Sequence, residues 1–296
     1  MKPAIAALCI LALVLSPMHA FAWSAEGHQA VAIIAENQLR NSGQFARISA
    51  LLGDLSLADI AVCPDQVRQH ERNHDFQLSA ACQKVFPVPP TGTSNWHFIN
   101  IPVALAKPSD ADITKACGKA CAIERINHFA GILADKTQPA TIRLQALSFL
   151  VHFIGDIHQP LHCAIRDKDG GGNAEQIKFG RETTDLHAAW DNPLVASIDK
   201  DPAKLAADLA PEIQQASKEQ SEGVNDWARE SFAIARTDSY NGIPAAKGDQ
   251  VVATLDPTNK DPKSYVPVAV KDIRLQIARG GVRLAAFIVA NTPKPS

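Results

Sequence analysis

Apolar side chains recur with helical spacing through residues 30–39, 46–52, 123–133, 142–154, 205–213 and 273–288, so most of the chain is predicted to form helices with one buried face. The fold class that follows is mainly α. Short extended pieces fit at 96–101 and, beyond the turn Gly170-Gly171-Gly172, at 175–179. Pro160 has no amide proton with which to continue a helix, so the helix through 142–154 is expected to stop before it and leave His162 off its axis. The runs 85–94 and 247–263 are rich in Pro, Gly, Asp and Thr and read as surface loops. Gly280-Gly281, inside the last helix, marks a place of close packing. No linker or repeat divides the chain, which points to one compact helical domain over 23–296.

Residues 1–22 carry the three parts of a secretory signal: Lys2, the apolar run 4–15 and the small-x-small site Ala20-Phe21-Ala22. The run is shorter than the ~20 apolar residues of a membrane-spanning helix. The chain is therefore expected to be cut before Trp23 and to be secreted or periplasmic, a monomer with no stable membrane association. With 29 basic and 31 acidic side chains the formal net charge is −2, and it becomes more negative once Lys2 is removed. That balance gives no support to a broad basic face that binds nucleic acid by charge alone. Of six cysteines, Cys9 leaves with the leader. Export permits disulfides, and the pairing expected is Cys63 with Cys82 and Cys117 with Cys121, leaving Cys163 free.

Histidine and aspartate spacing carries the chemistry. In His152-Phe-Ile-Gly-Asp156 a separation of four puts an imidazole and a carboxylate on one helical face, where both can reach one metal ion. The same spacing returns in His187-Ala-Ala-Trp-Asp191, and His162 lies between the two pairs. Asp65 stands one helical turn before Arg68, and His97 is a polar group in an otherwise apolar run. Taken singly, Asp65 also fits a helix cap or a surface ion pair, and His97 a hydrogen-bonded core histidine. His158 fits a structural or ligand-orienting role, and His70, His74 and His128 lie outside every motif.

Together these segments resemble the zinc-dependent nuclease family of nuclease S-one and nuclease P-one, which is related to bacterial zinc phospholipases C. The resemblance runs through Trp23-x-x-x-Gly-His28, Asp65-x-x-Arg68, Trp96-His-Phe-Ile, the stretch from His152 to His162, Gly171-Gly-Asn173 and Leu186-His-x-x-Trp-Asp191. It implies a mostly helical domain with a cleft for three zinc ions. Carried across, Asp65, His97, His152 and Asp156 hold one zinc; the Trp23 amine and carbonyl, His28 and Asp156 hold a second; His162, His187 and Asp191 hold the third. A free α-amine has a pKa of about 7.7–8.0, low enough for zinc to displace its proton near neutral pH.

The resemblance further implies hydrolysis of single-stranded DNA and RNA to 5′-phosphorylated products by a zinc-bridging hydroxide, with 3′-nucleotidase activity. Asp65 and Arg68 then act in catalysis, and Phe98, Asn100 and Asn173 contact substrate. At Asn100 the chain departs from the fungal pattern, which has an aspartate there, and an amide can donate as well as accept a hydrogen bond. Two other readings use the same residues: a zinc phospholipase C acting on lipid head groups, and an exported zinc- or nucleic-acid-binding protein without turnover.

Overall fold

The computed structural model describes residues 23–219, 223–246, 248 and 250–294. The expected leader, residues 1–22, lies outside them. Five helices come first: α1 (Ala25–Asn41), α2 (Ala46–Leu52), α3 (Leu57–Ala61), α4 (Cys63–Arg72) and α5 (Ala80–Val85). After β1 (Ile101–Pro102) follow α6 (Asp110–Cys117), α7 (Ala122–Ala134) and α8 (Ala140–Asp156). Three short strands, β2 (Ala164–Ile165), β3 (Gln176–Phe179) and β4 (Glu182–Asp185), lead into α9 (Leu186–Asp191) and α10 (Pro193–Ala196). The remainder is α11 (Pro202–Asp208), α12 (Ala210–Ala216), α13 (Val224–Ile234), β5 (Ala253–Leu255) and α14 (Tyr265–Asn291). The fold is mainly α, as the apolar spacing requires.

Helix α8 is the axis. Every residue from Ala146 to Asp156 is buried, and α1, α2, α3, α4, α5, α7 and α14 all pack against it. An aromatic cluster locks one side: Phe149 stacks on Phe129 of α7 at 4.5 Å and on Phe153 at 5.4 Å, with Phe86 and Trp96 edge-on. On another side α1 lies against α14 at Gly280-Gly281. A Cβ on Gly281 would fall 2.5 Å from Ile34 Cβ, so the absence of a side chain is what permits this approach.

Two small sheets hold loops in place. Strands β1 and β2 pair in parallel, Ile101 opposite Ala164 and Pro102 opposite Ile165, which brings the segments following His97 and His162 side by side. The second sheet has the order β4-β3-β5, with an antiparallel β3–β4 hairpin and β5 parallel to β3.

The chain departs from its sequence pattern in three places. Residues 96–101 are not one extended piece: Ser94–His97 forms a 3₁₀ turn, closed by the Trp96 amide donating to the Thr93 carbonyl at 2.9 Å. The turn swings the Trp96 ring into the aromatic cluster, which an extended backbone would not do. The stretch 205–213 is two helices rather than one, because Pro211 has no amide for the 207 carbonyl and its ring crowds that turn. Within 247–263, Ala253–Leu255 joins the sheet as β5. Disulfides join Cys63 to Cys82 and Cys117 to Cys121, and Cys163 is a buried free thiol, the pairing expected. No described helix is long and apolar enough to cross a membrane.

Candidate metal centre

The two His-x-x-x-Asp pairs lie on short, fully buried helical faces, and the other candidates come to them from distant parts of the chain. Around α8, Asp156 divides its two oxygens. Oδ1 is 3.3 Å from His28 Nε2 on α1, while Oδ2 is 3.1 Å from His97 Nδ1 and 3.4 Å from His152 Nε2. Asp65 of α4 reaches the second cluster, its Oδ1 3.7 Å from His97 Nδ1 and 3.6 Å from His152 Nε2. The His28 and His152 rings stack at 3.9 Å. A third cluster joins His162 to His187, Nε2 to Nε2 at 3.0 Å, with Asp191 Oδ2 3.5 Å from His187 Nε2.

Three buried groups therefore could hold a metal ion: His28, His152 and Asp156; Asp65, His97 and His152; His162, His187 and Asp191. Within each, the potential ligand atoms all lie within 4.8 Å of one another. Backbone carbonyls fix several ring orientations. His152 Nδ1–H donates to the Ala61 carbonyl (2.7 Å), His162 Nδ1–H to that of His97 (2.6 Å) and His187 Nδ1–H to that of Gly171 (2.7 Å). A carbonyl only accepts, so each of these histidines turns Nε2 toward its group.

Both bonding and charge fit cations here. Buried atoms without a hydrogen-bond partner include both His28 nitrogens, Asp65 Oδ1, Asp156 Oδ1 and Asp191 Oδ2, a costly arrangement for polar atoms unless an ion satisfies them. Burial holds His162 and His28 well below the ordinary histidine range and brings His187 down to about 4. With Nδ1–H committed to a carbonyl on each ring, neutral His162 and His187 face each other lone pair to lone pair across 3.0 Å, a contact that a cation between them would relieve. Burial pushes Asp156 and Asp191 well above the usual carboxylate range, with a Gln159 hydrogen bond opposing the effect at Asp191. At His152 burial pushes the pKa down, but Asp156 and Asp65 outweigh it and hold it up at about 9, a sign of how strongly this site draws positive charge.

Trp23 is fully buried beside this centre. The following amide, of Ser24, donates to the Asp191 carbonyl at 2.6 Å. Arg68 lies on α4 within electrostatic reach of the centre, where its charge disfavours protonation of His97, His162 and His187 and favours the Asp156 carboxylate. Phe98 follows His97 and is half-buried; among the described residues its ring stacks on no other aromatic. Asn100 is half-buried at the entry to β1. Asn173 is exposed, and its amide donates to the Gly170 carbonyl at 2.6 Å, closing the glycine turn. His158 points away into a buried network, with Nδ1 on the Ile154 carbonyl and Nε2 accepting from Arg283. His74 and His128 are exposed, and His70 hydrogen-bonds the Phe76 carbonyl.

Two supporting residues escape the spacing argument. Gln159 donates to Asp191 Oδ1 at 2.5 Å. The buried Asp169 accepts from the amides of Arg166, Gly171 and Gly172 (3.0 Å each) and from the Tyr240 hydroxyl (2.7 Å). Asp169 thereby shapes the turn whose Gly171 carbonyl orients His187. Gly171 has φ +70°, and a Cβ there would lie 2.6 Å from the Leu161 carbonyl, so only glycine fits. The signals were their positions: Gln159 inside the ligating stretch 152–162, and Asp169 directly before three glycines.

A sequence model of the S1/P1 nucleases matches residues 23–291, nearly the whole described chain. The chain belongs to the S1/P1 nuclease family. It is 28% identical to Nuclease S1 of Aspergillus oryzae over 292 residues, covering 93% of this chain and 94% of that protein. It is also 28% identical to Endonuclease 4 of Arabidopsis thaliana (91% and 89% covered) and 26% identical to Nuclease P1 of Penicillium citrinum (90% and 96% covered). As an S1/P1 nuclease the protein is a metal-dependent hydrolase of nucleic acids, and its buried His and Asp groups could hold the metal.

Proposed function

We propose that this S1/P1 nuclease is a zinc-dependent phosphodiesterase that cuts single-stranded DNA and RNA to 5′-phosphorylated products and removes phosphate from 3′-nucleotides. The observation that carries the reading is the set of buried, unpartnered ligand atoms on His28, Asp65, Asp156 and Asp191, gathered with His162 and His187, which burial keeps neutral as it does His28, and with His152, which two carboxylates draw toward positive charge. Imidazole and carboxylate are the usual donors to catalytic zinc. We assign Asp65, His97, His152 and Asp156 to one ion, His28, Asp156 and the Trp23 amine and carbonyl to a second, and His162, His187 and Asp191 to a third. Ions held there supply acidified water and positive charge for a phosphoryl group.

The chain's own groups do the rest. Asp65, the only carboxylate of the set on a helix that also carries Arg68, orients the attacking water and takes its proton. Arg68 places a guanidinium against the phosphoryl oxygens, whose geometry it matches with paired N–H donors. Phe98 offers an unstacked ring beside His97 for one base, which favours single strands because a paired base is not free to stack. Asn100 meets the base edge, and Asn173 steadies the glycine turn behind His187. Removal of residues 1–22 completes the centre by freeing the Trp23 amine, and the product is a secreted or periplasmic monomer.

The deciding experiment assays protein beginning at Trp23 on single-stranded DNA, RNA, 3′-AMP and phosphatidylcholine, with and without EDTA. EDTA-sensitive hydrolysis of the nucleic acids and of 3′-AMP is the expected result. Its absence on all three sinks the proposal, and hydrolysis confined to phosphatidylcholine would make the protein a phospholipase instead. A form with one additional residue before Trp23 should bind less zinc and turn over more slowly; full zinc content and rate would remove Trp23 from the ligand set.

A further inference from the structure

Gln159 is fully buried within the ligating stretch, between the C-terminus of α8 and the 3₁₀ turn Pro160–Cys163. Its two amide atoms serve different masters. Nε2 donates to Asp191 Oδ1 at 2.5 Å, and Oε1 accepts from the Leu161 amide at 2.6 Å. The amide orientation follows from its partners, since a carboxylate only accepts and a backbone N–H only donates.

The first bond leaves the Asp191 carboxylate with one oxygen committed. The other, Oδ2, is buried without a hydrogen-bond partner and is the one 3.5 Å from His187 Nε2. The second bond caps the turn that carries His162, whose Nε2 faces His187 Nε2 at 3.0 Å. One side chain thus ties together two segments, 160–163 and α9, that between them supply His162, His187 and Asp191. His187 is oriented independently, by the Gly171 carbonyl. A buried amide missing either bond would carry the full cost of an unsatisfied polar group, so the two contacts hold each other in register.

We propose that Gln159 is a positioning residue for the third group: it presets Asp191 to bind its cation through Oδ2 alone and fixes that oxygen relative to His162. The proposal rests on the reading that His162, His187 and Asp191 hold a zinc ion. A carboxylate freed from Gln159 can rotate, and the group then orders itself only on binding, at the expense of affinity.

The test is zinc content per chain of the full processed protein, measured against a graded chelator for wild type, Gln159→Leu and Gln159→Glu. Glutamate keeps the acceptor for Leu161 and loses the donor to Asp191, so it remains informative if the leucine variant does not fold. Both variants should release one ion at about 10- to 100-fold higher free zinc, the usual effect of removing a ligand-orienting partner, while the other two titrate as in wild type. In an Asp191→Ala background, Gln159→Leu should add little, because both changes act on the same ion. Unchanged titration of all ions overturns the proposal. So does parallel weakening of all three, which would mark Gln159 as a general packing residue. A wild-type protein that binds no zinc at His162, His187 and Asp191 would instead overturn the ligand assignment beneath it.

Discussion

Gly155 stands between His152 and Asp156 on α8, and a methyl group there would lie 2.8 Å from His28 Nδ1 and 3.1 Å from its Cε1. Such atoms normally approach no closer than ~3.5 Å, so in Gly155→Ala the imidazole must retreat by about 0.7 Å. His28 is buried, stacked on His152 at 3.9 Å and 3.3 Å from Asp156 Oδ1, so no retreat leaves its relation to both partners intact. Metal–ligand distances tolerate only ~0.2 Å. The ion assigned to His28, Asp156 and Trp23 should therefore lose a ligand, and its affinity should fall by about 100-fold. The helix itself gains: alanine in place of glycine favours a helix interior by up to ~1 kcal/mol, which offsets part of the clash. Melting curves of metal-stripped protein should accordingly show only a modest loss of stability, while metal content by elemental analysis and nuclease rate drop far more. Gly131→Ala is the control, since its Cβ would meet nothing within 4 Å on α7. It should raise stability and leave the metal alone. A Gly155→Ala protein with wild-type metal content and rate would refute the placement of His28 as a ligand.

Three further outcomes follow from other parts of the molecule. Gly281→Ala places a methyl 2.5 Å from Ile34 and should destabilise the α1–α14 contact by about 1–3 kcal/mol, read as a lower Tm with unchanged metal stoichiometry; a Tm at or above wild type would contradict the packing. Burial, with Asp238 nearby, pushes Asp272 up to about 6, above the ~3.9 of an unfolded aspartate. Its ionised form is thus disfavoured by the fold: the penalty is absent below pH ~4, develops as pH rises to about 6 and is complete above. Asp272→Asn should raise Tm at pH 8 and not at pH 4, and an equal effect at both would exclude this origin. Phe98→Ala removes a stacking contact of about 1–3 kcal/mol and should reduce kcat/KM on single strands by roughly 5- to 150-fold with zinc content intact; an unaltered value would take Phe98 out of the substrate site.

Much of the fold is legible because helix periodicity is local. The stretch 142–154 reads correctly since its apolar face repeats every turn and Pro160 stops it. The pairing of β5 with β3 is different, because Ala253–Leu255 lies far in sequence from Gln176–Phe179 and nothing in either run names its partner. The Ser94–His97 turn is likewise imposed by tertiary packing, through Trp96, on a run whose composition favours extension. At the site, the ligand types follow from spacing, as in His152 with Asp156 and His187 with Asp191. Which atom faces the ion does not, because that is decided by the carbonyls of Ala61, His97 and Gly171. Gln159 and Asp169 are ordinary polar residues until burial gives them partners.

The division of Asp156 between His28 on one oxygen and His97 with His152 on the other has a kinetic side. These side chains come from α1, α8 and the turn before β1, and Asp65 and Asp191 add α4 and α9. Loops of very different length must all close before the carboxylate has its neighbours, and contacts so far apart in sequence form slowly. A half-folded chain therefore carries every histidine of the centre without the centre, and tight metal binding becomes a gauge of completed folding.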